Sequence, residues 1–289
     1  MIARYYALCK PGMVYGNVFT TIAGALFGIF YFDLTLYDSL SPLIGSIVGI
    51  ALVIASACVY NNITDRKIDG VMERTKERAL VTGKVSVVSA RIFGAMLGIF
   101  GFYILYTFAN SLTAYLSFFG WIAYVVLYAL AKRGTYLGAL VGSLSGAVPI
   151  VVGYTGITGQ IDVVALVLFI ILALWQMPHF YAIALYRMED YKKAGIPVLP
   201  ILKGIRSTKN DIVLYTSLYI FSTVVLYIVA SLGTIYLLGV LLSGLWWLHR
   251  AISGYASTGD VLWAKALFRL SLLVLVIFSV SLAFSPLLP

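Results

Sequence analysis

The chain has 289 residues, of which 62% are hydrophobic and only 11% charged, with a mean hydropathy of +0.99. So little charge excludes an ordinary soluble globular domain and points to an all-α polytopic membrane protein. The formal net charge of +9 does not imply nucleic acid, because Lys and Arg sit in short connections between apolar segments and form no basic domain.

Apolar windows of about 20 residues can cross a bilayer. Nine occur, at 14–32, 42–60, 88–108, 112–130, 136–156, 163–185, 212–230, 234–249 and 266–284. The eighth is the shortest. Arg4 and Lys10 precede the first window. Further Lys and Arg follow windows two, four, six and eight. The connections after windows one, three, five and seven carry none, and hold Asp33, Asp38 and Asp162 instead. Counting Arg91 and Arg269 as helix ends, all 20 basic residues fall on one side. Basic residues stay in the cytoplasm. The expectation is therefore a plasma-membrane protein with its N-terminus cytoplasmic and its C-terminus outside. No signal or transit peptide is visible, so the mature chain is expected to start near Met1. Cys9 and Cys58 are far apart and imply neither a disulfide framework nor a zinc site.

The second window runs into Asn61-Asn62-Ile63-Thr64-Asp65-Arg66-Lys67-Ile68-Asp69, followed by Arg74, Arg78 and Lys84. Asn61, Asp65 and Asp69 are four apart, which puts them on one face of a helix. Two carboxylates and an amide oxygen suit Mg²⁺, which takes one or two carboxylates and fills its shell with water and substrate phosphates. The bland alternative is a capped helix end with a charged loop. A second polar connection follows window six: Tyr186-Arg187-Met188-Glu189-Asp190-Tyr191-Lys192-Lys193, then Ile196-Pro197-Val198-Leu199-Pro200. Lys132-Arg133 forms a third cluster after window four. Asp65 and Asp190 stand four windows apart, a hint of an old duplication of a four-helix unit within one domain spanning 1–289. In window five, Gly138, Gly142 and Gly146 permit close helix approach and read as plain packing. Pro149 and Pro178 are expected to kink their helices.

At the cytoplasmic mouth of one bundle, these clusters would surround a metal with cations, and the guest that fits is a diphosphate. An apolar, aromatic-lined cavity open to the cytoplasmic side would take a hydrocarbon tail, so the whole guest is a prenyl diphosphate. Metal and cations would stabilise charge on the leaving diphosphate. Aromatic faces would shield an allylic cation, and a dry pocket would delay its capture by water. A cation transporter is the rival of a different class. It places carboxylates near the middle of the membrane, whereas these lie at span ends. A plain membrane anchor has no need of paired acidic loops.

Asn61-x3-Asp65-x3-Asp69 with Met72-Glu73-Arg74-Thr75-x2-Arg78 resembles the first aspartate motif of the UbiA superfamily of intramembrane prenyltransferases. Tyr128-x3-Lys132 resembles its second signature. Trp175-Gln176-Met177-Pro178-His179-Phe180 and Asp190-Tyr191-x2-Ala194-Gly195-Ile196-Pro197-Val198-Leu199-Pro200 are similar to the haem-farnesylating branch, the haem O synthases. So are Lys10-Pro11, Lys132-Arg133 and Gly142-Ser143-Leu144-Ser145-Gly146-Ala147. The similarity runs from about Tyr5 to Tyr215. Two departures stand out: Pro149-Ile150 where the branch has two prolines, and Gly134 where a second Arg commonly follows.

The resemblance implies nine helices in a UbiA-type bundle and Mg²⁺ as cofactor. It also implies the transfer of farnesyl from farnesyl diphosphate to a vinyl group of haem b, with addition of water. An aromatic quinone precursor is the alternative acceptor. The expected metal and catalytic set is Asn61, Asp65, Asp69 and Asp190, with Glu189 behind it. The expected diphosphate contacts are Arg74, Arg78, Lys132, Arg133 and Lys193, then Arg66 and Lys84. His179 is a candidate haem contact, through iron or a propionate, although a lone membrane histidine is more often a packing residue. His249 is read as structural. The lipid bilayer surrounds the protein, and haem A synthase or a terminal oxidase assembly is the implied partner.

Overall fold

The computed structural model describes residues 2–287. Met1, where the mature chain is expected to start, and residues 288–289 lie outside the described residues. Among those described, nine helices are long and apolar enough to cross a membrane. They are α1 (Pro11–Tyr31), α2 (Leu36–Thr64), α3 (Val87–Ala109), α4 (Ser111–Gly134), α5 (Gly138–Thr158), α6 (Val163–Tyr186), α7 (Gly204–Val229), α8 (Thr234–Ala256) and α9 (Asp260–Leu287). The short eighth window opens a 23-residue helix. Helix α7 starts at Gly204 rather than 212, and α9 at Asp260 rather than 266. The α7 extension is polar, and that of α9 is bracketed by Asp260 and Lys265, so a hydropathy window leaves both out.

Local chemistry explains the helix starts. Thr35, Ser86, Asn110 and Asp162 each stand just before a helix, and each side chain accepts a backbone N–H three residues on. These bonds satisfy donors that a helix start leaves unpaired. Helices α5 and α6 continue through Pro149 and Pro178.

Helix α5 is the hub. It packs against α1, α2, α4 and α6, while α6 also meets α7 and α9, and α9 returns to α1 to close the ring. Its apolar window is 67% buried, against 22% for α3 at the rim. Small residues allow this crowding. A Cβ at Gly153 would fall 1.9 Å from the Thr21 carbonyl oxygen, and one at Gly146 would fall 2.0 Å from the Gln176 amide. Backbones this close gain dispersion contacts that apolar lipid cannot displace. Ile99, Leu242 and Leu262 point outward, as an apolar surrounding demands.

Two stretches depart from regular α geometry. Leu105–Ala109 and Ala123–Tyr128 are wound as π-helix, one residue wider per turn. Such turns re-aim side chains and concentrate at functional sites. The second one carries two tyrosines of the site below. The connections after α2, α4, α6 and α8 emerge with the N-terminal helix Ile2–Leu8 at one end of the bundle. That end is the mouth.

Candidate active site

Helix α2 ends at Thr64, and one further turn, Arg66–Asp69, follows Asp65. The backbone ladder runs through the join, with Asp65 N–H to Asn61 O at 2.9 Å and Asp69 N–H to Asp65 O at 2.8 Å. Asn61, Asp65 and Asp69 therefore share a face, and all three line one chamber. They are 3%, 2% and 5% exposed, so charge there must be compensated.

Asp65 sits at a helix C-terminus, where the macrodipole opposes a negative charge. Lys132 Nζ at 2.8 Å and Arg133 Nη2 at 3.0 Å compensate it. Asn61 Nδ2 donates to the same carboxylate at 3.1 Å, and Lys10 Nζ donates to the Asn61 side-chain oxygen. Asp69 takes Arg78 Nη1 at 2.6 Å, which also reaches Asn62 Oδ1 at 3.0 Å. The Thr75 hydroxyl donates to the Asp69 backbone carbonyl at 2.9 Å. Lys10 has a left-handed backbone (φ 49°) directly before Pro11. A non-glycine residue held there stores strain. Burial takes its ammonium down to about 8.

The chamber at the mouth has a volume of about 370 Å³. Five cations line it (Lys10, Arg74, Arg78, Lys132 and Arg187) against the two carboxylates Asp65 and Asp69. The surplus is positive, so the mouth attracts an anion. Tyr124 and Tyr128, stacked at 5.4 Å on the π turn, form one wall. A second chamber of about 470 Å³ lies beneath, lined by Ile50, Val53, Trp121, Leu172, Trp175 and Leu275 among others. Met13, Tyr124, Gly142, Phe180 and Ile183 border both chambers and form the neck between them.

Of the expected site residues, Asn61, Asp65, Asp69, Arg74, Arg78 and Lys132 line the mouth chamber and His179 the lower one. Arg133 does not line it but holds Asp65. Arg66, Lys84, Glu189 and Lys193 are exposed and stand off the chamber. The two polar loops do approach each other. The Glu73 carboxyl is held down chiefly by its hydrogen bond to Lys76, with a smaller pull from Lys193. The structure does not gather Asp190 with Asp65 and Asp69. On the short helix Met188–Lys193, Tyr191 lines the chamber, while Asp190 pairs loosely with Arg187 at 3.7 Å. Lys10, Arg187, Tyr124 and Tyr191 join the site without having been assigned to it from sequence. The lysine directly before the first span, and the second polar connection that carries Arg187 and Tyr191, were the available signals. His249 is exposed at the end of α8.

Among the described residues no group of three or more His, Cys, Asp or Glu side chains could hold a metal alone. Asn61, Asp65 and Asp69 fit Mg²⁺ in another way. They offer hard oxygens from two carboxylates and one amide, and leave the remaining positions to water and phosphate oxygens.

The UbiA prenyltransferase family pattern matches residues 17–273. A protoheme IX farnesyltransferase from Photorhabdus laumondii subsp. laumondii is 42% identical over 293 residues, covering 100% of this chain and 97% of its own. One from Yersinia pseudotuberculosis is 43% identical over 285 residues, covering 98% and 95%. Among solved structures, a digeranylgeranylglyceryl phosphate synthase superposes with TM-score 0.77 at 19% identity, covering 99% of this chain and 98% of its own. A UbiA homologue from Archaeoglobus fulgidus, bound to GPP and Mg²⁺, does so with TM-score 0.70 at 17% identity, covering 96% and 99%. The buried acidic face, the cation-rich mouth and the match over nearly the whole chain converge: the protein belongs to the UbiA prenyltransferase family.

Proposed function

We propose that this protein transfers the farnesyl group of farnesyl diphosphate to a vinyl group of haem b, with addition of water, giving haem O and diphosphate. The observation that carries the reading is the pair of joined chambers. A cation-rich mouth with buried carboxylates opens through one neck into an apolar chamber, which is the shape of an anionic head on a hydrocarbon tail. Relatives at 42–43% identity named protoheme IX farnesyltransferase support the choice of haem as acceptor. The positive surplus at the mouth argues against a cation transporter.

In this reading Asn61, Asp65 and Asp69 hold Mg²⁺, which supplies Lewis-acid stabilisation of the departing diphosphate. Arg74, Arg78, Lys10 and Lys132 line the same chamber and hold its oxygens. Arg187, which lines the same chamber, joins them. The C1–O bond breaks and the diphosphate leaves with the electron pair. Tyr124 borders the neck, with Tyr128 stacked on it from the mouth side, and their ring faces stabilise the cation formed there. The vinyl π electrons make the new C–C bond. Water then adds to the carbon next to the porphyrin and releases one proton, so atoms and charge balance. The apolar lower chamber keeps water away until that last addition.

All the basic connections lie at the mouth end, which supports a cytoplasmic mouth in the plasma membrane and a C-terminus outside. Haem A synthase or a terminal oxidase assembly would consume the product. The test is purified protein in lipid nanodiscs with farnesyl diphosphate, Mg²⁺ and haem b. A product heavier by one farnesyl group and one hydroxyl group is expected. The same prenyl chain found only on an added aromatic acid would overturn the haem assignment.

A further inference from the structure

His179 offers a lone pair whose availability is set by a residue on another helix. Its Nδ1 lies 2.8 Å from Ser271 Oγ on α9. A serine hydroxyl carries one proton. Ser271 gives that proton to the Phe268 carbonyl, at 2.6 Å. Both bonds form at once only in the tautomer that carries the imidazole proton on Nδ1, which leaves Nε2 bare. The ring is also fixed in place. Trp175 stacks on it at 4.8 Å, and Phe268 packs against it at 4.8 Å. Trp175 is itself tied to the backbone carbonyl of Ser271 through Nε1, at 2.9 Å. Residue 271 thus anchors two α6 side chains spaced one turn apart.

The bare nitrogen faces open space. Nε2 has no hydrogen-bond partner among the described residues, and it is not one of the sealed-in unpaired atoms. His179 lines the lower chamber, whereas Ser271 is fully buried behind it. We propose that Ser271 is a positioning residue that locks His179 in the Nδ1–H tautomer, so that Nε2 takes the haem iron of the acceptor as an axial ligand. Neutral imidazole nitrogens are good iron ligands, and a hydrogen bond from the other ring nitrogen to an oxygen raises their basicity. Ile183, which borders both chambers, lies four residues from His179, about 6 Å along α6. Ligation there would hold the porphyrin rim, with its vinyl groups, at the neck where the farnesyl carbon is released.

This inference rests on the haem reading, and the experiment separates the two. Ferric and ferrous haem b are titrated into the protein in nanodiscs while the Soret and visible bands are followed. The wild type is expected to give a nitrogen-ligated spectrum. His179→Ala is expected to lose that signature, and added imidazole to restore it, which also shows that the variant is folded. Ser271→Ala is expected to weaken haem binding about 10–100-fold, the usual effect of removing a partner behind a metal ligand. Ser271→Thr, which keeps the hydroxyl, is expected to retain it. A wild-type spectrum in His179→Ala, or unchanged affinity in Ser271→Ala, would overturn the proposal. Failure of the wild type to make haem O despite a ligated spectrum would instead overturn the haem-transfer reading.

Discussion

Asp65→Asn preserves the size of the side chain and removes the one charge that Lys132 and Arg133 share. In the folded protein the change leaves these cations without a counterion. Breaking a fully buried pair costs roughly 3–5 kcal/mol. Here the Lys132 and Arg133 side chains are 17% and 36% exposed, so water screens both. The net cost in stability is then about 1–2 kcal/mol. A loss of that size leaves a typical fold intact. The loss in turnover is much larger. Removing one preorganised group that stabilises developing charge costs about 10²–10³-fold, roughly 3–4 kcal/mol. The assay is haem O formation by mass spectrometry at saturating farnesyl diphosphate over a Mg²⁺ series, with the melting temperature measured in parallel. The expected outcome is a folded protein with turnover down at least about a hundredfold. Turnover within about threefold of wild type, a barrier change under 1 kcal/mol, would refute the metal-holding role of Asp65.

Lys132 and Arg133 touch the same carboxylate, but only Lys132 lines the mouth. Lys132→Met should raise KM for farnesyl diphosphate by about tenfold or more, and Arg133→Gln by much less, since one charge-assisted hydrogen bond is worth roughly 1.5–3 kcal/mol. Equal effects in steady-state kinetics would count against this division of labour. Chelation of divalent metal should stop transfer and added Mg²⁺ should restore it, whereas full turnover in excess chelator would remove the metal from the reaction. Far from the chambers, Lys209 is buried between Asp260 at 2.6 Å and the Gly254 carbonyl at 2.7 Å, over the Trp263 ring. Lys209→Met should cost about 1–3 kcal/mol by leaving those groups unpaired. Adding Asp260→Asn should recover part of the loss, and a melting curve for the single variant that matches wild type would refute the clamp. Gly153→Ala forces a methyl against the Thr21 carbonyl and should cost about 1–3 kcal/mol of stability by overpacking, which thermal unfolding in detergent would check.

The residues themselves announced the nine helices, because a segment crossing a bilayer must be apolar over its whole length and must satisfy its own backbone hydrogen bonds. The common end of the basic connections was equally visible, since charge stays local to the sequence that carries it. So was the shared face of Asn61, Asp65 and Asp69, which needs only the pitch of one helix. Where the fold withheld its answer, distance along the chain was the reason. Lys10 reaches Asn61 across 51 residues, and His179 meets Ser271 across 92. Nothing in local spacing encodes such pairs. The second loop shows the same limit from the other side: its charges were plain to read, but the turn of one short helix put Tyr191 rather than Asp190 on the chamber. Composition and period decided what crosses the membrane and which end is charged. Only packing decided which charges meet, because helices are placed by the neighbours that bury them and not by the order in which the chain delivers them.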